Sequence, residues 1–154
     1  MLDAIQVVDL PARNTAVIRL KIPQADIAKA MGPAVDELFA ALKAQGIPPA
    51  GPLFDHFFSM GAGTFDLEVG LPVEGPVTPV GRVGPGHLPA VRVAKTTYHG
   101  PYSGLRSAWR EFGELARAQG YKAAAGIREY YVYGPESNPD PNTWRTELVQ
   151  PLAE

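Results

Sequence analysis

Apolar residues along the chain recur with two periods, and the stretches where each period holds predict its elements. Dense β-branched and aromatic content or alternation predicts strands over 4–8 (AIQVV), 15–22 (TAVIRLKI), 53–59 (LFDHFFS), 64–71 (TFDLEVGL), 90–98 (AVRVAKTTY), 127–133 (IREYYVY) and 144–150 (WRTELVQ). Helical spacing links Val35, Leu38, Phe39 and Leu42 up to a stop at Gly46. A weak turn over Gln24 to Ala30 precedes it, and Pro33 suits the first helical position. A second stripe, through Leu105, Ala108, Trp109, Phe112, Leu115 and Ala116, starts after Ser103 as candidate N-cap and ends near Gly120. MGAG, at 60–63, reads as a hairpin turn. EGPVTPVGRVGPGH, at 74–87, holds seven Gly or Pro in fourteen residues and reads as a connection rather than an element.

The order of elements repeats, and residue matches accompany it. LPA recurs at 10–12 and 88–90 (88 − 10 = 78), AQG at 44–46 and 118–120 (118 − 44 = 74), and AG at 50–51 and 125–126 (125 − 50 = 75). FDLEVGLPV at 65–73 lies against WRTELVQPL at 144–152 (144 − 65 = 79). A duplicated βαββ module with unequal loops would give such offsets. The predicted architecture is therefore α+β: two modules with pseudo-twofold symmetry, an antiparallel sheet, two main helices and a central ligand cleft. Repeat 1 covers about 3–76, a linker about 76–87 and repeat 2 about 88–152, all in one domain.

Composition narrows the function classes. With 154 residues, 45% hydrophobic and 19% charged, the chain suits one core-bearing domain, and its sixteen Gly and sixteen Pro point to tight turns. A formal net charge of −2, with no run of Lys or Arg, supplies no basic stripe for phosphates, so no direct nucleic-acid contact is expected. Absence of cysteine removes disulfides, thiolate nucleophiles and Cys-based metal sites. The N-terminal MLDAIQVVDL lacks a basic region and no long apolar span follows it, so neither a signal peptide nor a membrane helix is expected, and the cytoplasm is the expected compartment.

One residue interrupts the strand pattern. Alternation of IREYYVY puts Ile127, Glu129, Tyr131 and Tyr133 on one face and Arg128, Tyr130 and Val132 on the other, so an acid stands among phenol rings. An offset of 75 lays Phe54 against Glu129, His56 against Tyr131 and Phe58 against Tyr133, leaving the acid on one side only. A carboxylate walled by rings can pair with a desolvated organic cation, with cation–π contact adding roughly 0.5–2 kcal/mol, or exchange protons once burial raises its pKa. Plainer roles stand beside these. Glu129 could bridge to Arg145 or Arg128, Tyr131 and Tyr133 could be sheet packing, Trp109 core, Trp144 a rim residue and His56 a packing histidine.

The segments YHGPYSGL (98–105) and REYYVYGPESNPDPNTWRTELVQPL (128–152), joined by the helix carrying Trp109, resemble the GyrI-like small-molecule-binding domain, also the effector-binding module of AraC-type and MerR-type regulators. The most specific part is Glu129 and Tyr131, then Gly134-Pro135, Asp140-Pro141, Thr146-Glu147 and Pro151. The resemblance implies a duplicated βαββ fold whose cavity takes flat, lipophilic, often cationic compounds, with Glu129 at its floor and Tyr102 as the tyrosine of the Gly-Pro-Tyr turn. The regulators' helix-turn-helix is not expected before a strand that starts so near Met1, which points to a stand-alone form. Some stand-alone relatives resemble hydrolases that open cyclopropane-containing DNA-alkylating antibiotics, where Glu129 would be catalytic; another resembles a gyrase inhibitor with a protein partner. Catalysis is not needed to account for the residues.

No other chemistry is signalled. GRVGPGH (81–87) lacks the order of a dinucleotide loop, and no GxSxG, HExxH or P-loop occurs, so no cofactor and no metal is expected. The expected ligand-binding residues are Glu129, Tyr131, Tyr102, Trp109, Trp144, Phe54 and His56.

Overall fold

A computed structural model describes residues 2–135 and 137–153. The fold is mixed α+β with antiparallel strands and two main helices. In chain order the elements are β1 (Gln6–Leu10), β2 (Arg13–Pro23), α1 (Ile27–Gln45), β3 (Phe54–Ser59), β4 (Thr64–Pro72), β5 (Gly84–Leu88), β6 (Val91–His99), α2 (Leu105–Ala118), β7 (Ile127–Tyr133) and β8 (Arg145–Pro151). They form two compact units, one of residues 11–90 and one of 1–10 with 91–154. The repeat boundaries read from the sequence do not coincide with these units. β1, the opening strand of repeat 1, pairs with β6, and β5 pairs with β2.

The unit of residues 11–90 has strand order β3-β4-β2-β5, with α1 against β2 and β4. Ile18, Leu20, Leu67 and Val69 are enclosed, whereas Arg19, Lys21, Asp66 and Glu68 alternate onto the opposite face, so α1 covers the former set. The other unit has order β1-β6-β8-β7, and α2 presses Ala108, Phe112 and Ala116 onto Ala94, Tyr98 and Leu148. That spacing of four places one helix stripe on one strand face.

The ladders of the two units follow the same numbering rule. Ala16 faces Leu71 and Ala94 faces Gln150, offsets of 78 and 79; Leu10 faces Val91 and Arg13 faces Leu88, related by 78. On the inner strands Phe54 faces Gly70 and Arg128 faces Val149, so β3 and β7 match by 74 (128 − 54), not 75. A register bulge then falls at Phe57/Ser59 and at Tyr131/Tyr133, again 74 apart. The one-residue change moves every side chain to the opposite face. Asp55, not Phe54, stands at the position of Glu129, and the expectation of an acid in one half only is overturned.

Other sequence expectations are corrected by packing and pairing. The helix predicted to start at Pro33 begins at Ile27 and runs through the proline. Pro33 removes one main-chain bond, to the carbonyl four residues earlier, while burial of Ala34, Leu38, Ala41 and Leu42 holds the helix together. Gly46 ends it at φ 68°, as expected of a C-terminal glycine, and Gly120 at φ 86° follows α2. Ser103 makes no side-chain cap; a 3₁₀ turn over Tyr102–Gly104 leads into α2 instead. Phe39 and Leu115, placed in the apolar stripes, are exposed at 45% and 40%.

The Gly/Pro-rich connection contains a strand, β5, because its main chain bonds to β2 whatever its side chains are. Gly86 is needed there: a Cβ would lie 2.6 Å from Thr15 Oγ1. The MGAG turn is a 3₁₀ turn with Ala62 at φ 56°. In the loop 134–143, a 3₁₀ turn over Pro141–Thr143 is capped by Asp140 Oδ1, which accepts from Asn142 N at 3.0 Å, and Glu136 lies outside the described residues. Among the described residues no helix is long and apolar enough to cross a membrane.

Candidate functional site

Glu129 is the third residue of β7 and is 7% exposed. Its register partner is Leu148, a member of the layer under α2, so its carboxylate points to the face that the helix covers. Trp109, one turn into α2, donates its indole Nε1–H to Glu129 Oε2 at 2.7 Å. Tyr131, two residues on and on the same strand face, donates its hydroxyl to Oε1 at 3.3 Å. Both donors are neutral. Among the described residues no Lys, Arg or His forms an ion pair with Glu129, and neither Arg128 nor Arg145 supplies the bridge that a plainer reading would need.

A string of rings continues from the carboxylate. Tyr131 meets Tyr102 edge-on, centroids 5.4 Å apart at 72°, and Tyr102 lies 4.7 Å from Trp144. Local structure sets each ring. The turn YHGPYSG wraps around its own first tyrosine: Tyr98 hydroxyl donates to Pro101 O at 2.8 Å, and a Cβ at Gly104 would collide with that hydroxyl. Gly100, at φ 140°, bonds its amide to Trp144 O at 3.0 Å, tying the turn that carries Tyr102 to the start of β8. Trp144 in turn donates Nε1–H to Asn138 O at 2.8 Å, which anchors it to the Pro-rich loop. Trp109 is both core and site, since its ring also lies 5.7 Å from Phe112.

Five sequence-predicted residues, Glu129, Tyr131, Tyr102, Trp109 and Trp144, therefore come together within one compact unit. Phe54 and His56 belong to the other unit. Phe54 is fully enclosed beneath Gly70, whose hypothetical Cβ would be 2.9 Å from Phe54 Cζ and 2.8 Å from Val17 Cγ1, on the face away from α1. His56 lies on that same face with its ring 4.5 Å from Phe58. Tyr133, read as possible sheet packing on the acid's face, is displaced by the bulge and is 44% exposed. A groove of about 660 Å³ also occurs in that unit, between α1 and residues 78–81, and is lined mainly by Ala40, Ala41, Ala44 and Val80. It holds none of the predicted residues.

Sequence reasoning missed Tyr98 as the post around which the Tyr102 turn is built; two tyrosines flanking a His-Gly-Pro could have suggested it. Among the described residues no group of His, Cys, Asp or Glu could hold a metal ion. Chemically, a carboxylate has about four acceptor positions. Two are occupied by neutral donors here, so its charge is held in place without being cancelled.

The GyrI-like small molecule binding domain model matches residues 3–153. No curated protein sequence matches significantly. Among solved structures, the C-terminal domain of EcmrR is similar at TM-score 0.85 and 20% identity, over 98% of each chain. In an EcmrR–DNA complex the similarity has TM-score 0.84 and 21% identity and spans 98% of this chain but 57% of that one. SAV2435 bound to tetraphenylphosphonium gives 0.75 and 12%, over 98% of this chain and 94% of the other. A Listeria innocua protein described as a hydrolase gives 0.69 and 14%, over 97% and 91%. At these identities the likenesses show a shared fold, and the match over residues 3–153 decides the family: the chain belongs to the GyrI-like small-molecule-binding domains.

Proposed function

We propose that the site around Glu129 binds flat, lipophilic, cationic compounds, with the carboxylate compensating the ligand's charge and Tyr131, Tyr102, Trp144 and Trp109 supplying ring faces. One observation carries this reading. Glu129 is enclosed, is fixed by two neutral donors, and has no ion pair among the described residues. A buried charge without a counterion is costly unless something compensates it. A cation brought by the ligand does so, and the rings add cation–π attraction of about 0.5–2 kcal/mol each. SAV2435, of the same fold, has been captured with a lipophilic aromatic cation, tetraphenylphosphonium, which is not flat. The rings that cover Glu129 must yield to admit a ligand, and an aromatic ligand replaces the ring contacts that are broken.

The test uses two ions of one shape and opposite charge. In calorimetric titration, tetraphenylphosphonium binds the wild type and tetraphenylborate binds poorly. Glu129→Gln weakens the phosphonium by about 2 kcal/mol, roughly thirtyfold, the range for hydrogen-bonded and charged contacts, and leaves the borate no weaker. Equal weakening of both ions would remove the charge argument.

A further inference from the structure

The layer of strand side chains under each helix can be compared position by position through the ladder offsets. In the unit of residues 11–90, the cross-strand row is Leu20, Leu67 and Phe57, wholly apolar. The corresponding row in the other unit is Tyr98, Thr146 and Tyr131, since 20 + 78 = 98, 67 + 79 = 146 and 57 + 74 = 131. Three oxygen atoms stand in a row whose counterpart in the other unit is hydrocarbon. Two of them are accounted for: Tyr98 hydroxyl donates to Pro101 O, and Tyr131 hydroxyl to Glu129 Oε1.

Thr146 is the third. It is 0% exposed, and among the described residues no group hydrogen-bonds its Oγ1. A buried hydroxyl without a partner is disfavoured relative to a methyl of the same shape. Leu67, at the matching place, shows that the fold itself does not require one. Thr146 is the register partner of Tyr131, so it shares the strand face of Glu129 and lies diagonally from it. Such diagonal positions are roughly 7–8 Å apart, within the span of one flat two- or three-ring molecule.

We infer that Thr146 is a specificity-determining residue of the Glu129 site, whose hydroxyl selects cations carrying an N–H or C=O group over cations with no hydrogen-bonding group. The inference rests on the binding reading given above and adds a second polar contact to it. Glu129 supplies charge, Thr146 supplies a hydrogen bond about one aromatic system away, and the rings next to Glu129 take the flat body of the ligand. Thr146 becomes satisfied only when such a ligand lies against it.

Two cationic probes separate these contributions: proflavine, a flat cation with two amino groups, and tetraphenylphosphonium, which has no hydrogen-bonding group. Thr146→Val keeps the shape and removes the hydroxyl. It is expected to weaken proflavine about fivefold to tenfold, the equivalent of one net hydrogen bond, and to leave tetraphenylphosphonium within twofold. Thr146→Ser retains proflavine affinity. In urea unfolding without ligand, Thr146→Val is at least as stable as the wild type. Equal effects on the two probes, unchanged proflavine binding, or a clear loss of stability in the free valine variant would each overturn the inference. Glu129→Gln, run alongside, reports on the underlying reading. If it weakens phosphonium binding as expected while Thr146→Val treats both probes alike, the inference alone falls; if the wild type binds neither probe, both fall.

Discussion

A carboxylate on a strand is governed by what reaches its oxygens, and this chain holds two contrasting cases. Glu129 is gripped by an indole and a phenol. Glu68, on β4, is partly enclosed, and burial pushes its carboxyl above the usual range, with Arg19 pulling it down less strongly and Asp66 adding to the rise. A raised value means that the folded protein binds the proton more readily than the unfolded chain. The stability this contributes is complete below the ordinary value of 4.5 and is lost as pH rises through the folded value. Glu68→Gln should therefore be more stable than the wild type near neutrality, with the difference vanishing in acid. Urea midpoints at both pH values check this, and an advantage that persists in acid would contradict it. Glu129 could be picked out from sequence because an acid among β-branched and aromatic residues breaks the strand pattern. Glu68 could not, because its neighbours Arg19 and Asp66 arrive from pairing and from strand alternation together.

Elements here are shaped by where backbones come close. Gly70 on β4 faces Phe54 and Val17, the register neighbours from β3 and β2, and an added Cβ would lie 2.7 Å from Ala16 O, 2.8 Å from Val17 Cγ1 and 2.9 Å from Phe54 Cζ. One of these is backbone, so the strand pair must shift. Gly70→Ala should cost about 1–3 kcal/mol, as overpacking of a tight site does, read as a lowered urea midpoint with an unchanged slope. Strand and helix periods were legible because their residues are half-buried on one face. β5 was not, since GPGHL carries no alternation and owes its strand to bonds with β2. The true start of α1 was hidden for a related reason. Packing of four buried residues outweighs the proline that local rules place at a helix entrance.

At the scale of the whole molecule, the exchange of first strands is the feature with most consequence. β1 completes the ladder of residues 91–154, while β5 completes that of residues 11–90, each under the same offset of 78. We propose an internal duplication as the origin of this correspondence. Removing residues 1–10 should leave β6 as an edge strand. Hydrogen exchange would then show alternate amides of Val91–His99 losing protection, while the β2–β4 ladder keeps its own. Loss of protection in β2 instead would show that β1 does not belong where the pairing puts it.

By itself the sequence determined the two main helices with the glycines that follow them, seven of the eight strands and the unusual acid, because these follow from local period, turn chemistry and composition. Tertiary structure alone decided the offset of 74 on the inner strands, because register depends on how many residues each loop absorbs before pairing begins. That single residue makes Asp55, in place of Phe54, the counterpart of Glu129 in the ladder numbering. Pairing of β7 with β8 likewise decided that Thr146 stands beside Tyr131 on the strand face of Glu129.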